Sequence, residues 1–181
     1  MYKEVGISSN NVPITLSIWY TERSCPTIVF LPGTMSHPLM YENFLSGLCE
    51  RGFNIIGVHY LSHGKSPKIK MNYTMEDLLY NVYDATTYGM ENYGDNIAVM
   101  GSSQGGILAA MAAGRDTRLK AVFPHNIMLT TLKETMSLTK YPAWTHRFMG
   151  LIQWGFRVGG KLLPNYKVPG DAYLDYNKVF Y

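Results

Sequence analysis

Four continuous apolar runs constrain this chain more than any other feature: PTIVFL at 26–31, FNIIGVHYL at 53–61, NIAVM at 96–100 and LKAVF at 119–123. Short runs without polar alternation are the pattern of strands buried on both faces of a parallel sheet. Parallel neighbours need long crossovers, usually helical, and the intervening segments supply them. Residues 38–51 carry Leu39, Phe44, Leu45 and Leu48 on one side and end at Gly52, while Thr74 with Asp77 three residues on is a capping-box pattern for a helix reaching about Asn92. Ahead of the first run, residues 2–8 and 13–20 alternate and are joined by Asn10-Asn11, which predicts a β-hairpin. The expected fold class is therefore α/β: over residues 1–126, an N-terminal β-hairpin leads into a mostly parallel sheet flanked by helices, with right-handed crossovers.

After Asn126 the alternation stops. Residues 127–163 read as helical, with Trp144, Phe148, Leu151, Ile152 and Phe156 at i, i+4, i+7, i+8 and i+12. Such a stripe fits a helix packed on the core, and equally a cap that presents apolar side chains to a greasy substrate. Residues 127–181 are accordingly expected to form a helical cap or lid.

Composition narrows the function classes. With 46% hydrophobic residues in 181, the chain can bury a sizeable core, which excludes disorder. The net charge of +3, from 16 basic and 13 acidic residues without a basic block, argues against nucleic acid as a partner. Cys25 and Cys49 form no CxxC pair and fit a reducing compartment. The start, MYKEVGISSN, lacks an apolar signal core, and no stretch approaches the roughly 18 apolar residues of a membrane span, so a cytoplasmic location is expected.

The chemistry concentrates at GSSQG, residues 101–105, which satisfies G-x-S-x-G with Ser103 at the centre and Ser102 in the x position. The motif needs a sharp strand-to-helix turn that lifts the serine oxygen above a sheet, with neighbours too small to obstruct it. Gly101, Gly105 and Gly106 provide that room; a buried run precedes the turn, and the small apolar stretch ILAAMAAG follows it as a tightly packed helix would. The helix start also aims backbone N–H groups at a developing anion. Ser103 reads as a nucleophile, and Ser102 as a residue of the turn.

Rival motifs fail on their own terms. HGKS at 63–66 resembles the tail of a phosphate-binding loop, but the required first glycine would be residue 59, a histidine, and Pro67 follows Ser66. GSSQGG has serine where a dinucleotide fingerprint needs its second glycine, so no cofactor is expected. His59 and His63 are four apart on a strand end and loop without further converging ligands; loop hydrogen bonding is the expectation, and no metal. His37, beside Pro38, is a candidate for lining a pocket mouth, and His125 stands at the carboxyl end of the strand after the turn.

Three stretches together, FLPGT at 30–34, HGKSP at 63–67 followed by YTMEDL, and GSSQGG at 101–106, make the chain resemble the α/β-hydrolase superfamily, and most its capped branch of monoacylglycerol-lipase-like and serine-aminopeptidase-like members. The likeness runs from about residue 2 to 126, and more loosely through the cap, including VPGDAYLDYNKVF near the end. It implies a serine hydrolase that cleaves ester, thioester or amide bonds of a small acyl substrate through an acyl-enzyme. It also implies an oxyanion hole made by the backbone N–H groups of Thr34 and Gln104. Three positions depart from the family pattern: Pro32 stands where histidine is usual, His59 where aspartate is, and Ser62 where glycine is.

A family nucleophile needs an acid and then a histidine later in the chain. After Ser103 the only histidines are His125 and His146, and both precede Asp171 and Asp175. The resemblance therefore implies that these 181 residues are the N-terminal portion of a longer hydrolase, without its last strands, its acid and its histidine. Two alternatives stay open: a non-catalytic relative that binds a hydrophobic ligand or partner, and His125 as an improvised base.

Overall fold

The computed structural model describes residues 1–22, 24–69, 73–127 and 143–162. The chain divides into two compact units, Met1–Ile127 and Met128–Tyr181. In the first, a hairpin of β1 (Tyr2–Ser9) and β2 (Val12–Trp19) is followed by β3 (Thr27–Leu31), α1 (Glu42–Glu50), β4 (Asn54–His59), α2 (Met75–Tyr93), β5 (Ile97–Ser102), α3 (Gln104–Ala113) and β6 (Ala121–His125). A 3-10 turn at Pro38–Tyr41 leads into α1. The hairpin closes as its sequence demands, with Asn10 at φ 47° and Asn11 at φ 63°, the left-handed pair of a type I′ turn.

The six-stranded sheet has the order β1-β2-β4-β3-β5-β6. The β1–β2 and β2–β4 pairs are antiparallel, whereas β3–β4, β3–β5 and β5–β6 are parallel. Side chains of β3 sort strictly by parity. Val29 and Leu31 join Ile56, Val58, Val99 and the inward faces of α2 and α3 in the larger core, while Ile28 and Phe30 join Trp19, Ile55, Leu45 and Cys49 under α1 on the opposite face. Each such fully buried aliphatic side chain contributes roughly 1.5–3 kcal/mol over an exposed one.

Helix α2 begins where its capping box predicts. Thr74 Oγ1 accepts the Asp77 N–H at 3.2 Å and the Asp77 carboxylate accepts the Thr74 N–H at 2.7 Å. Two sequence expectations need correction. Phe44 is half exposed instead of facing the core: Leu45 and Cys49, four apart, centre the inward stripe of α1, and Phe44, about 100° round from Leu45, sits at its rim with its ring 6.4 Å from that of Phe30. The fourth apolar run is not buried on both faces: β6 pairs only with β5 among the described residues, and Phe123 is 50% exposed.

Topology fixes where a site can form. From β3 the chain crosses by α1 to β4 on one side, then returns by α2 to β5 on the other side of β3, and the two helices pack on opposite faces. A crevice opens beyond the carboxyl ends of strands at such a reversal of strand order. Those ends are Leu31 of β3 and Ser102 of β5, paired next to one another through Leu31 and Gly101.

In the second unit, a 3-10 helix at Ala143–Phe148 runs into α4 (Met149–Leu162). Trp144, Phe148, Leu151 and Trp154 are exposed, while the side chains of Ile152 and Phe156, and the segment VPGDAYLDYNKVF, lie outside the described residues. No helix among the described residues is long and apolar enough to cross a membrane.

Candidate active site

Ser103 stands between β5 and α3 with φ 54° and ψ −117°. A serine in that left-handed conformation is strained by on the order of 1–3 kcal/mol and must be held there by its surroundings. The holding is steric and backbone-made. The Ser103 N–H donates to the His125 carbonyl at 3.0 Å, tying the turn to β6, and the Ser103 carbonyl accepts the Ile107 N–H in the first turn of α3. A Cβ on Gly101 would sit 2.0 Å from the Gly105 oxygen, one on Gly105 would sit 2.1 Å from the Leu31 oxygen, and one on Gly106 would meet Ile127 Cγ2 at 2.4 Å. All three glycines are thus needed for close approach rather than for their own dihedral freedom.

The consequence lies in what the serine side chain does not do. Ser103 caps α3 by position, yet its hydroxyl makes no capping bond, and among the described residues Oγ has no hydrogen-bond partner. As the first residue of α3, Gln104 has an N–H with no intrahelical acceptor, directed with the positive end of the helix dipole.

The turn after β3 lies against this elbow. A Cβ on Gly33 would fall 3.4 Å from both Ser103 Cβ and the Ser102 oxygen, so Pro32, Gly33 and Thr34 run beside the serine. Sequence reasoning missed the residues that hold this turn. Tyr60, buried at the end of β4, donates its hydroxyl to the Pro32 carbonyl at 3.1 Å; burial raises its pKa well above the ordinary phenol value, so it stays a donor. Ser36 donates Oγ to the Gly33 carbonyl at 2.8 Å, and its own N–H reaches the same oxygen at 3.2 Å. The Tyr41 hydroxyl lies 3.5 Å from Ser36 Oγ. No motif advertises these three, because Tyr60 and Ser36 bond main-chain carbonyls that any sequence could offer and Tyr41 meets only the Ser36 hydroxyl.

The sequence-singled histidines take other places. His59 and His63 are held by the loop hydrogen bonds expected of them: His59 bonds Ser17 Oγ and the Lys65 N–H, and His63 bonds the Leu61 carbonyl and the Tyr73 hydroxyl. His37 does not simply line a mouth; its ring stacks on His59 with centroids 5.8 Å apart, and its Nδ1 is buried without a partner among the described residues. His125 is exposed at the end of β6, opposite Ser102, and what reaches Ser103 from it is the main-chain carbonyl. Ser66 of the HGKS stretch is buried, donating to the His59 carbonyl at 2.6 Å and accepting the Thr15 N–H at 2.9 Å, a loop anchor and no phosphate ligand. Asp116 is taken by Arg118, whose guanidinium holds the carboxyl below the usual range.

A serine on a left-handed elbow, beyond the carboxyl edge of a mixed sheet at its strand-order reversal, defines a class, and comparison with known proteins agrees. A family model described as alpha/beta hydrolase fold matches residues 26–156. The chain belongs to the alpha/beta hydrolase fold family.

Among solved structures, the chain is similar to the alpha/beta hydrolase GrgF from Penicillium sp. sh18, with TM-score 0.63, 19% identity, and 67% of this chain and 44% of that one covered. A Pyrococcus furiosus esterase matches with TM-score 0.63 and 20% identity, covering 83% and 59%. Est1E from Butyrivibrio proteoclasticus, solved with ferulic acid bound, matches with TM-score 0.59 and 23% identity, covering 66% and 51%. At these identities the likeness is one of fold. The chain spans about half the length of these structures, between 44% and 59%. No match was found among curated proteins.

Proposed function

We propose that this chain carries the nucleophile and the oxyanion hole of a serine hydrolase acting on ester, thioester or amide bonds of a small, apolar acyl substrate. Ser103 Oγ attacks the acyl carbonyl, its proton passes to a base, and the backbone N–H groups of Thr34 and Gln104 hold the resulting oxyanion. Preorganised donors of this kind are worth roughly 3 kcal/mol each in the transition state. The observation that carries the reading is the strained Ser103 backbone beside the Gly33 turn, with a hydroxyl that makes no capping bond and has no partner among the described residues. Strain of that kind clusters at active sites, where the surrounding structure over-determines it. The unpaired Cys25 and Cys49 support a reducing, cytoplasmic setting.

Among the described residues no histidine or carboxylate side chain is bonded to Ser103 Oγ, and the reading is that this chain by itself lacks the base and the carboxylate that orients it. A fluorophosphonate probe and a short p-nitrophenyl ester test the two halves separately. The expected result is slow phosphonylation confined to Ser103 by mass spectrometry, lost in Ser103→Ala, with no ordinary ester turnover. Modification that persists in Ser103→Ala overturns the nucleophile; rapid multiple turnover by the chain alone overturns the missing base, and its abolition by His125→Gln would make that histidine the base. A second reading, a non-catalytic relative that binds a hydrophobic ligand, is favoured by the exposed Trp144 and Trp154. It predicts apolar-ligand binding unchanged in Ser103→Ala and no serine chemistry even in a lengthened chain.

A further inference from the structure

His59 departs from its surroundings in three ways at once. It is a histidine with 0% exposure at the carboxyl end of β4, its two ring nitrogens face different parts of the molecule, and its ring lies flat against a second histidine. The tautomer follows from the partners alone. The Lys65 backbone N–H lies 3.1 Å from Nδ1 and can only donate, so Nδ1 is bare and the proton of a neutral ring sits on Nε2.

From there every donor direction is forced. Nε2–H donates to Ser17 Oγ at 2.9 Å, the Ser17 hydroxyl donates to the Tyr2 oxygen at 3.0 Å, and the Tyr2 hydroxyl donates to Glu4 Oε1 at 2.6 Å. Glu4 Oε1 also takes the Lys65 ammonium, so Lys65 closes the circuit at both ends, through its backbone on His59 and its side chain on Glu4. An acidic group at the far end is what makes the chain run in this direction: a carboxylate accepts only, so Tyr2 must donate to it, Ser17 to Tyr2, and His59 to Ser17.

Two loops at the carboxyl edge of the sheet meet on this ring. The loop after β3, which carries Gly33 and Thr34, brings His37 onto one face of it at an interplanar angle of 18°. The loop after β4 wraps its edge: Gly64, at φ 53°, has no room for a Cβ, which would fall 2.2 Å from His59 Nδ1 and 2.7 Å from His37 Cβ. His37 Nδ1 has no partner among the described residues, so stacking, and not a hydrogen bond, joins the first loop to the ring.

We propose that His59 is a positioning residue for the candidate site: a single neutral Nε2–H tautomer clamps the Thr34-bearing loop to the loop at 60–66, and the Lys65 N–H at one nitrogen and the chain from Glu4 through Tyr2 and Ser17 at the other both select that tautomer. The purpose assigned to the clamp rests on reading Thr34 as an oxyanion donor. The clamp itself does not, and its test involves no reaction, so failure of Ser103 to be phosphonylated leaves this test standing.

The charged and titratable groups that face His59 are His37 from the loop after β3, Lys65 from its own following loop, and Glu4 with Tyr2 from β1 by way of Ser17 on β2. Burial, then the neighbouring His37, holds the His59 pKa down to about 4, in keeping with a ring that must stay neutral to accept from Lys65.

Nitrogen-15 NMR of the imidazole rings in the whole 181-residue chain reads the tautomer directly. At neutral pH His59 is expected with Nε2 protonated and Nδ1 bare, with protonation setting in only near pH 4. A protonated Nδ1, or a midpoint at the ordinary value of about 6.5, overturns the proposal. Amide exchange then reads the clamp. In His59→Leu, exchange at Lys65, at Ser36, whose N–H bonds the Gly33 carbonyl, and at Met40, whose N–H bonds the His37 carbonyl, is expected to rise about tenfold, with Val99 in the sheet unmoved. His59→Asn, whose Oδ1 takes the place of Nδ1 as acceptor, is expected to restore Lys65 and leave Ser36 and Met40 raised. Equal exchange in parent and His59→Leu, or a rise that spreads evenly over the sheet, overturns it; if His59→Leu does not fold, the tautomer and the Asn variant decide.

Discussion

The elbow at 101–106 and the loop at 60–66 leave the same edge of the same sheet and are held by opposite means. Around Ser103, order comes mainly from excluded volume: glycines let α3 press onto the β3 and β5 backbones, the Ser103 hydroxyl makes no capping bond, and the Gln104 amide reaches only outward, to Met75 Sδ at 3.5 Å. Around His59, order comes from commitment, with both ring nitrogens, Ser66 Oγ and the Lys65 backbone all bonded. A reacting hydroxyl has to keep its hydrogen bond for the base that takes its proton, so steric confinement suits the first loop, while a loop that only frames a site loses nothing by being tied.

That contrast predicts where the molecule breaks. The largest effect is expected at the elbow, where relief has no flexible side chain to move: Gly105→Ala drives a methyl into the Leu31 carbonyl and should cost more than about 3 kcal/mol in urea unfolding. An Ala variant as stable as the parent would show that volume is not what holds the turn.

The tied loop should respond to pH instead. Because the folded-state pKa of His59 is about 4 and the unfolded one is near 6.5, the unfolded chain binds more protons between those values, so stability is full above pH 6.5 and falls as pH drops toward 4, by at most about 3 kcal/mol. Thermal melts across that window should show the loss in the parent and a flatter profile in His59→Asn; identical profiles would remove His59 as its source.

Tyr60→Phe leaves the Pro32 carbonyl without its donor in a buried place and should cost about 1–2 kcal/mol, measured by denaturant midpoint. Ser103→Gly should have the opposite sign, gaining on the order of 1 kcal/mol by releasing the left-handed serine. A loss there would mean that the serine is comfortable and the strain argument fails. Thr34→Ala should change stability by less than about 0.5 kcal/mol, since the side chain is exposed and only the backbone N–H carries its proposed role.

Much of this was legible in the residues. The parity of TIVFL, the Thr74–Asp77 capping box and the Asn10-Asn11 turn encode their geometry locally, and each formed close to its expected place. GSSQG marked the elbow because only small residues survive where two backbones touch. The Phe44 assignment failed for another reason: neighbours in a helix lie about 100° apart, the period alone does not say which of Phe44 and Leu45 takes the centre of the inward face, and packing gave it to Leu45.

What sequence by itself determined, then, is everything set by neighbours along the chain: strand and helix order, the glycine-lined turn, and the serine within it. Only the tertiary structure decided what crosses between distant segments. It brought Gly33 against Ser103, aimed Tyr60 at the Pro32 carbonyl, and linked Glu4, Tyr2, Ser17 and His59 across three strands into one directed chain of bonds. Backbone carbonyls and hydroxyls look alike in any sequence, and which of them meet is settled only when the sheet sets its register.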